Sequence, residues 1–259
     1  MTRDVPDPLP DLTFYHSVEF ASGRRTAGWP VIVPIVEMIT NAMGRLDFTG
    51  RRVLDIGCRD GALAFEAERL GAADVIGIDS DLPVENIAFL SRALNSKARF
   101  EKHNLYRLSP ESFGLFDIIL LPGVLYHLRY PFWGLRLVRD LLVDGGTLLV
   151  ETATFSDANM LPLMLCPTGA DSPYEPTSCT FFNIKGFTDT ARSFGFDVVD
   201  QRSLMNLPPH DPAAAAALPI DRTVFTCIRD RGLDDARVMA YWDGQADLAG
   251  LPQWTELSR

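Results

Sequence analysis

Between residues 51 and 153, short apolar runs alternate with amphipathic stretches at a spacing that predicts strands and helices in turn. RRVLDIGC (51–58), ADVIGIDSD (73–81), ARFEKHNL (98–105), FDIILLPGVL (116–125) and GGTLLVETA (145–153) read as strands. The stretches between them read as helices over 61–71, 82–95 and 131–142. The second of these carries Val84, Ile87, Leu90 and Leu94 at helical spacing. Gly71 closes the first, and Pro131 stands where a first helical turn tolerates it. Strands and helices in this order predict an α/β fold, a parallel sheet with helices on both faces.

The flanks are less regular. FYHSVEFASGRRTAGW (14–29) mixes aromatics and turn residues without a period and is expected to form a flap, followed by a helix over 31–46. Residues 1–48 thus make an N-terminal flap and helix, and 49–229 the main domain. Residues 154–180, rich in Pro, Ser and Thr, are too long for an ordinary loop and read as a lid-like crossing. A helix over 184–196 follows, then a terminal strand pair, DVVDQRSLMNL and DRTVFTCIRD. PPHDPAAAAALP (208–219) joins them, and its alanine run is expected to be helical. Residues 230–259 form a polar C-terminal tail with two tryptophans.

A net charge of −10 and a pI near 4.8 work against tight binding of polyphosphate, so nucleic acid is disfavoured as a partner. The four cysteines form no C-x-x-C pair and read as reduced thiols, with neither disulfides nor a zinc site. The start, MTRDVPDPLPDL, is no signal peptide, and no apolar run is long enough to span a bilayer. A cytoplasmic chain is expected, with no membrane association and a homodimer allowed.

VLDIGCRDG (53–61) sets Asp55, Gly57 and Gly61 on a strand-to-helix turn, and Asp79 ends the next strand. In an open parallel sheet, ligands sit at the carboxyl ends of such strands. A glycine turn admits a ligand close to the backbone, and the second acid can accept two ribose hydroxyls. The spacing is not the G-x-G-x-x-G of a dinucleotide site. Asp55 and Asp60 flank the turn, which suits a ligand with cationic groups, such as S-adenosylmethionine (SAM), better than a diphosphate.

Taken together, VLDIGCRDG, GIDSD, FDIILLPGVLYHLRYP and GGTLLVET resemble a class I SAM-dependent methyltransferase. More narrowly, GVLYHLRYP and GGTLLVET resemble the tRNA wobble-uridine carboxymethyltransferases and their methyltransferase relatives. The resemblance implies a Rossmann-like doubly wound sheet with an antiparallel last strand, and SAM as cofactor. Asp55, Gly57 and Gly61 would then line the methionine end, with Cys58 in the same turn because it is small. Asp79 would hold the ribose, Ser80 and Asp81 would lie near the adenine, and Asn104 and Leu105 would flank it. Pro122 and Tyr126 would approach the donor, and Arg222 would face the substrate. One departure stands out: RRTAGWPVIVP, before the first strand, has no lysine, which counts against a carboxylated donor.

The fourth strand ends in Tyr126, His127 and Arg129, where an acceptor would meet the donor. His127 is the candidate base for an acceptor hydroxyl, and Arg129 could pair with a substrate anion. Side-chain alternation in a regular strand would stop Tyr126 and His127 from both facing the donor. Tyr15 and Trp29, in an aromatic group with Phe14 and His16, are candidate acceptor contacts. His103 is expected on the solvent side of the third strand, His210 in solvent, and Met160, Met164 and Leu165 either in an apolar pocket or anchoring the crossing. The expected function is methyl transfer to a small molecule, O-methylation slightly favoured. The alternatives are modification of a tRNA wobble uridine and a non-catalytic SAM-binding module.

Overall fold

A computed structural model describes residues 11–156, 161–172, 175–205 and 220–248. Met160, His210 and the alanine run lie outside the described residues. The chain forms an α/β fold in which β1 (Arg52–Ile56), β2 (Asp74–Asp79), β3 (Arg99–Lys102), β4 (Phe116–Pro122) and β5 (Leu142–Phe155) lie parallel in the order β3-β2-β1-β4-β5. Two further strands, β8 (Phe196–Ser203) and β9 (Ile220–Arg229), extend it: β9 runs antiparallel on β5 and β8 antiparallel on β9. A short antiparallel pair, β6 (Met164–Leu165) and β7 (Phe181–Phe182), attaches beside Thr154, beyond the end of β4. The sheet is Rossmann-like and mostly parallel.

Helices cover both faces because the central strands are apolar on both. On one face α1 (Val33–Met43) and α2 (Ala62–Arg69) set Ile35, Ile39, Met43 and Leu63 against Val53, Ile118, Leu120 and Val224. On the other, α5 (Pro131–Leu141) and α6 (Ile184–Ser193) bury Leu135, Val138 and Phe187 against Leu54, Ile119, Leu148 and Phe225. α3 (Val84–Leu94) joins the first layer. Its Leu90 packs with Phe65 and with Phe14, Val18 and Phe20, so residues 14–20 lie packed on the fold.

Three elements depart from the pattern reading. β4 ends at Pro122, where Gly123 takes φ +67 and a 3-10 turn, Leu125–His127, follows. β5 runs on to Phe155 because pairing with β9 continues past the end of β4. Ser109 and Pro110, a good N-cap and first-turn pair, start a one-turn helix, α4 (Pro110–Phe113). In the tail, residues 236–248 form α7 (Ala236–Leu248). No helix among the described residues is long and apolar enough to cross a membrane.

Candidate active site

The sheet order reverses at β1 and β4, and their carboxyl ends open into a cavity of about 670 Å³. Asp55, Gly57, Cys58, Asp79 and Ser80 line it from β1, β2 and the loops after them. Asn104, Leu105, Pro122, Tyr126 and His127 contribute from beyond β3 and β4, Tyr15 and Trp29 from the N-terminal segment, and Arg222 from β9. Two expected residues lie elsewhere. Gly61 is not in the lining: it takes φ +87 at the start of α2, where a Cβ would strike the Phe100 ring. Arg129 is exposed and outside the cavity, because the chain has already turned away after the Leu125–His127 turn.

The glycine turn is built by register. The Gly57 and Cys58 N–H groups both donate to the Ile78 carbonyl, at 2.8 and 3.0 Å, stitching the turn to β2. At Gly57, φ is +78 and a Cβ would meet the Val124 side chain, so glycine alone fits. Asp79 accepts the Arg59 N–H at 2.9 Å and the Asp81 N–H at 2.8 Å, one on each carboxylate oxygen. Each oxygen keeps a lone pair for a ribose hydroxyl.

Asp55 is fully buried, and neither carboxylate oxygen has a hydrogen-bond partner among the described residues. Burial pushes its pKa up to about 7. The Ala64 backbone N–H offsets only part of this without reaching bonding geometry, and the nearby Asp79 charge adds to the rise. An orphaned buried carboxylate on a cavity wall fits a ligand ammonium group, such as the methionine end of SAM.

Asp60, its neighbour in the turn, has a different task. It accepts the Tyr15 N–H at 2.7 Å, the His16 N–H at 3.1 Å and a bond from the His16 ring, the two His16 bonds buried. Burial works against its charge, yet these bonds hold its carboxyl below the usual range. Asp60 thus fixes the N-terminal segment over the turn and places Tyr15 and Trp29, whose rings lie 5.3 Å apart, on the cavity wall.

Also on the cavity wall, Arg222 is held by Glu151: Nε donates to Oε1 at 2.7 Å and Nη2 to Oε2 at 2.8 Å. The register explains the pair, since Arg222 lies opposite Ala153 in β9 and Glu151 is the diagonal neighbour on the same face. Nη1 of Arg222 also donates to the Tyr126 hydroxyl at 3.3 Å. Glu151 is buried and lines the cavity; an acid inside the apolar strand TLLVETA was the signal for it. Replacing Glu151 by Gln leaves the guanidinium buried without its counterion. This should cost about 3–5 kcal/mol in urea unfolding, with much of the loss recovered when Arg222→Met is added.

The 3-10 turn removes the alternation constraint, so Tyr126 and His127 both face the cavity. His127 Nε2 lies 3.2 Å from Glu175 Oε1, on the crossing. That crossing is clamped to the turn: the Cys179 and Thr180 N–H groups donate to the Tyr126 carbonyl, and Thr180 Oγ1 to that of Leu128. Burial lowers the His127 pKa, with the Arg222 charge helping, against the pull of Glu175 and a Thr177 backbone bond. Its neutral form is therefore favoured near neutral pH.

His103 also lines the cavity, with Nε2 buried and unpartnered, in place of the solvent position the strand period predicts. β3 has ended at Lys102, and the His103 N–H donates to the Asp79 carbonyl at 2.9 Å. Leu165 packs against Tyr126, Ala153, Phe155 and Phe181, so it anchors the crossing, and neither it nor Met164 lines the cavity.

A parallel sheet with an antiparallel last strand, a glycine turn with an orphaned acid, and a second acid after β2 are together the architecture of a class I SAM-dependent methyltransferase. The methyltransferase domain family matches residues 35–201, and the chain belongs to that family. Among similar curated proteins are the tRNA U34 carboxymethyltransferases of Ectopseudomonas mendocina and Azotobacter vinelandii, each 36% identical over 113 residues. Those stretches cover 41% of this chain and 34% of each relative, so the chain spans about a third of their length. Among solved structures, 1,6-didemethyltoxoflavin-N1-methyltransferase from Burkholderia thailandensis, with S-adenosylhomocysteine bound, has a TM-score of 0.54 at 19% identity, covering 78% of this chain and 79% of its own. The N-terminal domain of EvdMO1, with S-adenosylhomocysteine and D-fucose, scores 0.61 at 16%, covering 84% and 91%. The [4+2]-cyclase SpnF scores 0.56 at 18%, covering 84% and 89%.

Proposed function

We propose that this protein transfers a methyl group from SAM to a small, uncharged acceptor, with a hydroxyl favoured as the acceptor group. The observation that carries this reading is the charge of the cavity wall. Four carboxylates (Asp55, Asp79, Glu151, Glu175) face two guanidinium groups there. Both guanidinium groups already have partners, Arg222 the Glu151 carboxylate and Arg59 the Tyr15 ring together with Asp81. Among the described lining residues a phosphate or carboxylate on the acceptor would find no uncommitted cation, and the net charge of −10 adds to the repulsion. The volume falls within the roughly 300–1,000 Å³ usual for small-ligand sites.

When bound, SAM supplies a methyl group already activated by its sulfonium, so the protein has to position, exclude water and accept a proton. Asp55 would hold the donor ammonium and Asp79 the ribose hydroxyls. Tyr15, Trp29, Ile35 and Val36 give the acceptor an apolar wall. His127, steadied by Glu175, would take the hydroxyl proton.

The relatives named for tRNA U34 carboxymethyl transfer support a second reading, in which the donor is carboxy-SAM and the acceptor a wobble uridine. Calorimetric titration with SAM, carboxy-SAM and NAD separates the two. Tighter binding of SAM, with no heat from NAD, is the expected result; a preference for carboxy-SAM would put the second reading first. Turnover of an acceptor then separates an enzyme from a SAM-binding module.

A further inference from the structure

Arg59 carries a long side chain at a position where the backbone asks for none. Its φ is +48, in the left-handed region. The other described non-glycine residue with positive φ is Asn95, which ends α3, a place where asparagine is well suited. The turn uses the Arg59 backbone N–H, which donates to Asp79 Oδ2 at 2.9 Å, and glycine would present that group without strain. Residues held in this region by the structure around them cluster at ligand sites, which directs attention to what the Arg59 side chain does.

The side chain lines the cavity and bridges two segments of its wall and rim. Its guanidinium carbon sits 5.3 Å from the centroid of the Tyr15 ring, and Nη1 lies 3.4 Å from Asp81 Oδ2. Tyr15 is fixed from behind by Asp60 and touches Trp29, whose N–H donates to the Tyr15 carbonyl at 3.0 Å. Tyr15, Trp29 and Arg59 line the same cavity as Asp55 and Asp79. One side chain thus joins the N-terminal segment to the loop after β2, the two shores between which a donor would enter.

We propose that Arg59 is a latch, a positioning residue that retains the donor by holding Tyr15 across the cavity; this rests on the reading of the cavity as a SAM site. The Asp81 side chain is 87% exposed and that of Arg59 40%, so the ion pair alone is weak. Stacking on Tyr15 carries most of the contact. A latch of this strength opens readily, which a site that must exchange donor for product at every turnover requires.

Stopped-flow displacement of S-adenosylhomocysteine, followed by tryptophan emission, tests it. Arg59→Gly should raise the dissociation rate about tenfold, equivalent to about 1.4 kcal/mol. It should not lower the ligand-free Tm, because it also relieves the left-handed strain. Tyr15→Leu should raise the rate similarly, and the double variant no further than either single one. A dissociation rate within about twofold of wild type in Arg59→Gly, with the ligand still bound, overturns the latch alone. So do additive effects in the double variant, or a faster rate accompanied by a Tm several degrees lower. A wild-type protein that fails to bind S-adenosylhomocysteine overturns the donor reading and the latch together.

Discussion

Replacing Asp55 by Asn is expected to have two opposite effects at pH 7.5: the ligand-free protein becomes more stable, and its affinity for SAM falls about 10- to 100-fold. Both follow from one buried carboxylate without hydrogen-bond partners among the described residues. Burial first, and then the Asp79 charge, raise its pKa to about 7 in the folded chain, while the unfolded value is near 3.8. Between these values the folded chain keeps a proton that the unfolded chain has lost. The stability contribution is therefore fully present below about pH 4 and lost as pH rises through 7. Three pH units correspond to a loss on the order of 4 kcal/mol. Asparagine cannot ionise and escapes that loss, so the variant's thermal advantage should shrink towards zero on titration to pH 4. Ligand binding runs the other way, since a cationic group needs the ionised acid. Affinity for SAM should drop about tenfold per unit below pH 7, roughly 20- to 30-fold between pH 7.5 and 5.5. Calorimetry at pH 6 in two buffers of different ionisation enthalpy should register about one proton released per SAM bound. A flat affinity across that range would show that Asp55 does not face the donor's ammonium.

The parts of the site legible in the sequence are those set by local spacing. Asp55, Gly57 and Asp79 sit where a strand, a turn and the next strand must put them once the sheet is parallel, because ligand crevices form at strand ends. The missed contacts join residues far apart in the chain. His16 meets Asp60 across 44 residues, and Glu151 meets Arg222 across 71. No periodicity records such pairs. They arise when the N-terminal segment folds back on α2 and α3, and when β9 pairs antiparallel with β5. Two misreadings share another cause, the extension of a strand period beyond the strand. β3 stops at Lys102, which turns His103 into the cavity, and β4 stops at Pro122, which lets Tyr126 and His127 face the same way. Strand ends are fixed by tertiary hydrogen bonds: the His103 N–H goes to the Asp79 carbonyl and the Gly123 N–H to that of Glu151. Alternating apolar positions carry no trace of either.

Replacing His127 by Ala should lower the rate of methyl transfer to a hydroxyl acceptor about 100-fold or more, while the dissociation constant for S-adenosylhomocysteine changes less than threefold. The separation of effects is expected because His127 contacts Tyr126 and Glu175 and takes no part in the hydrogen bonds that hold the glycine turn and Asp79. A base must be neutral to accept a proton. Burial depresses the His127 pKa below its ordinary value of 6.5, and the Arg222 charge adds to this. The rate should therefore be flat above pH 7 and fall on the acid side with an inflection below 6.5. Glu175 opposes the depression, so Glu175→Gln should move that inflection to still lower pH and slow the reaction by loosening the ring. An inflection that stays in place would mean the carboxylate does not feel the imidazole's charge during turnover. An unchanged rate in His127→Ala, with the fold intact, would shift the assignment to a C- or N-acceptor that needs no base. The wall of Tyr15, Trp29 and Tyr126 would then act by alignment alone.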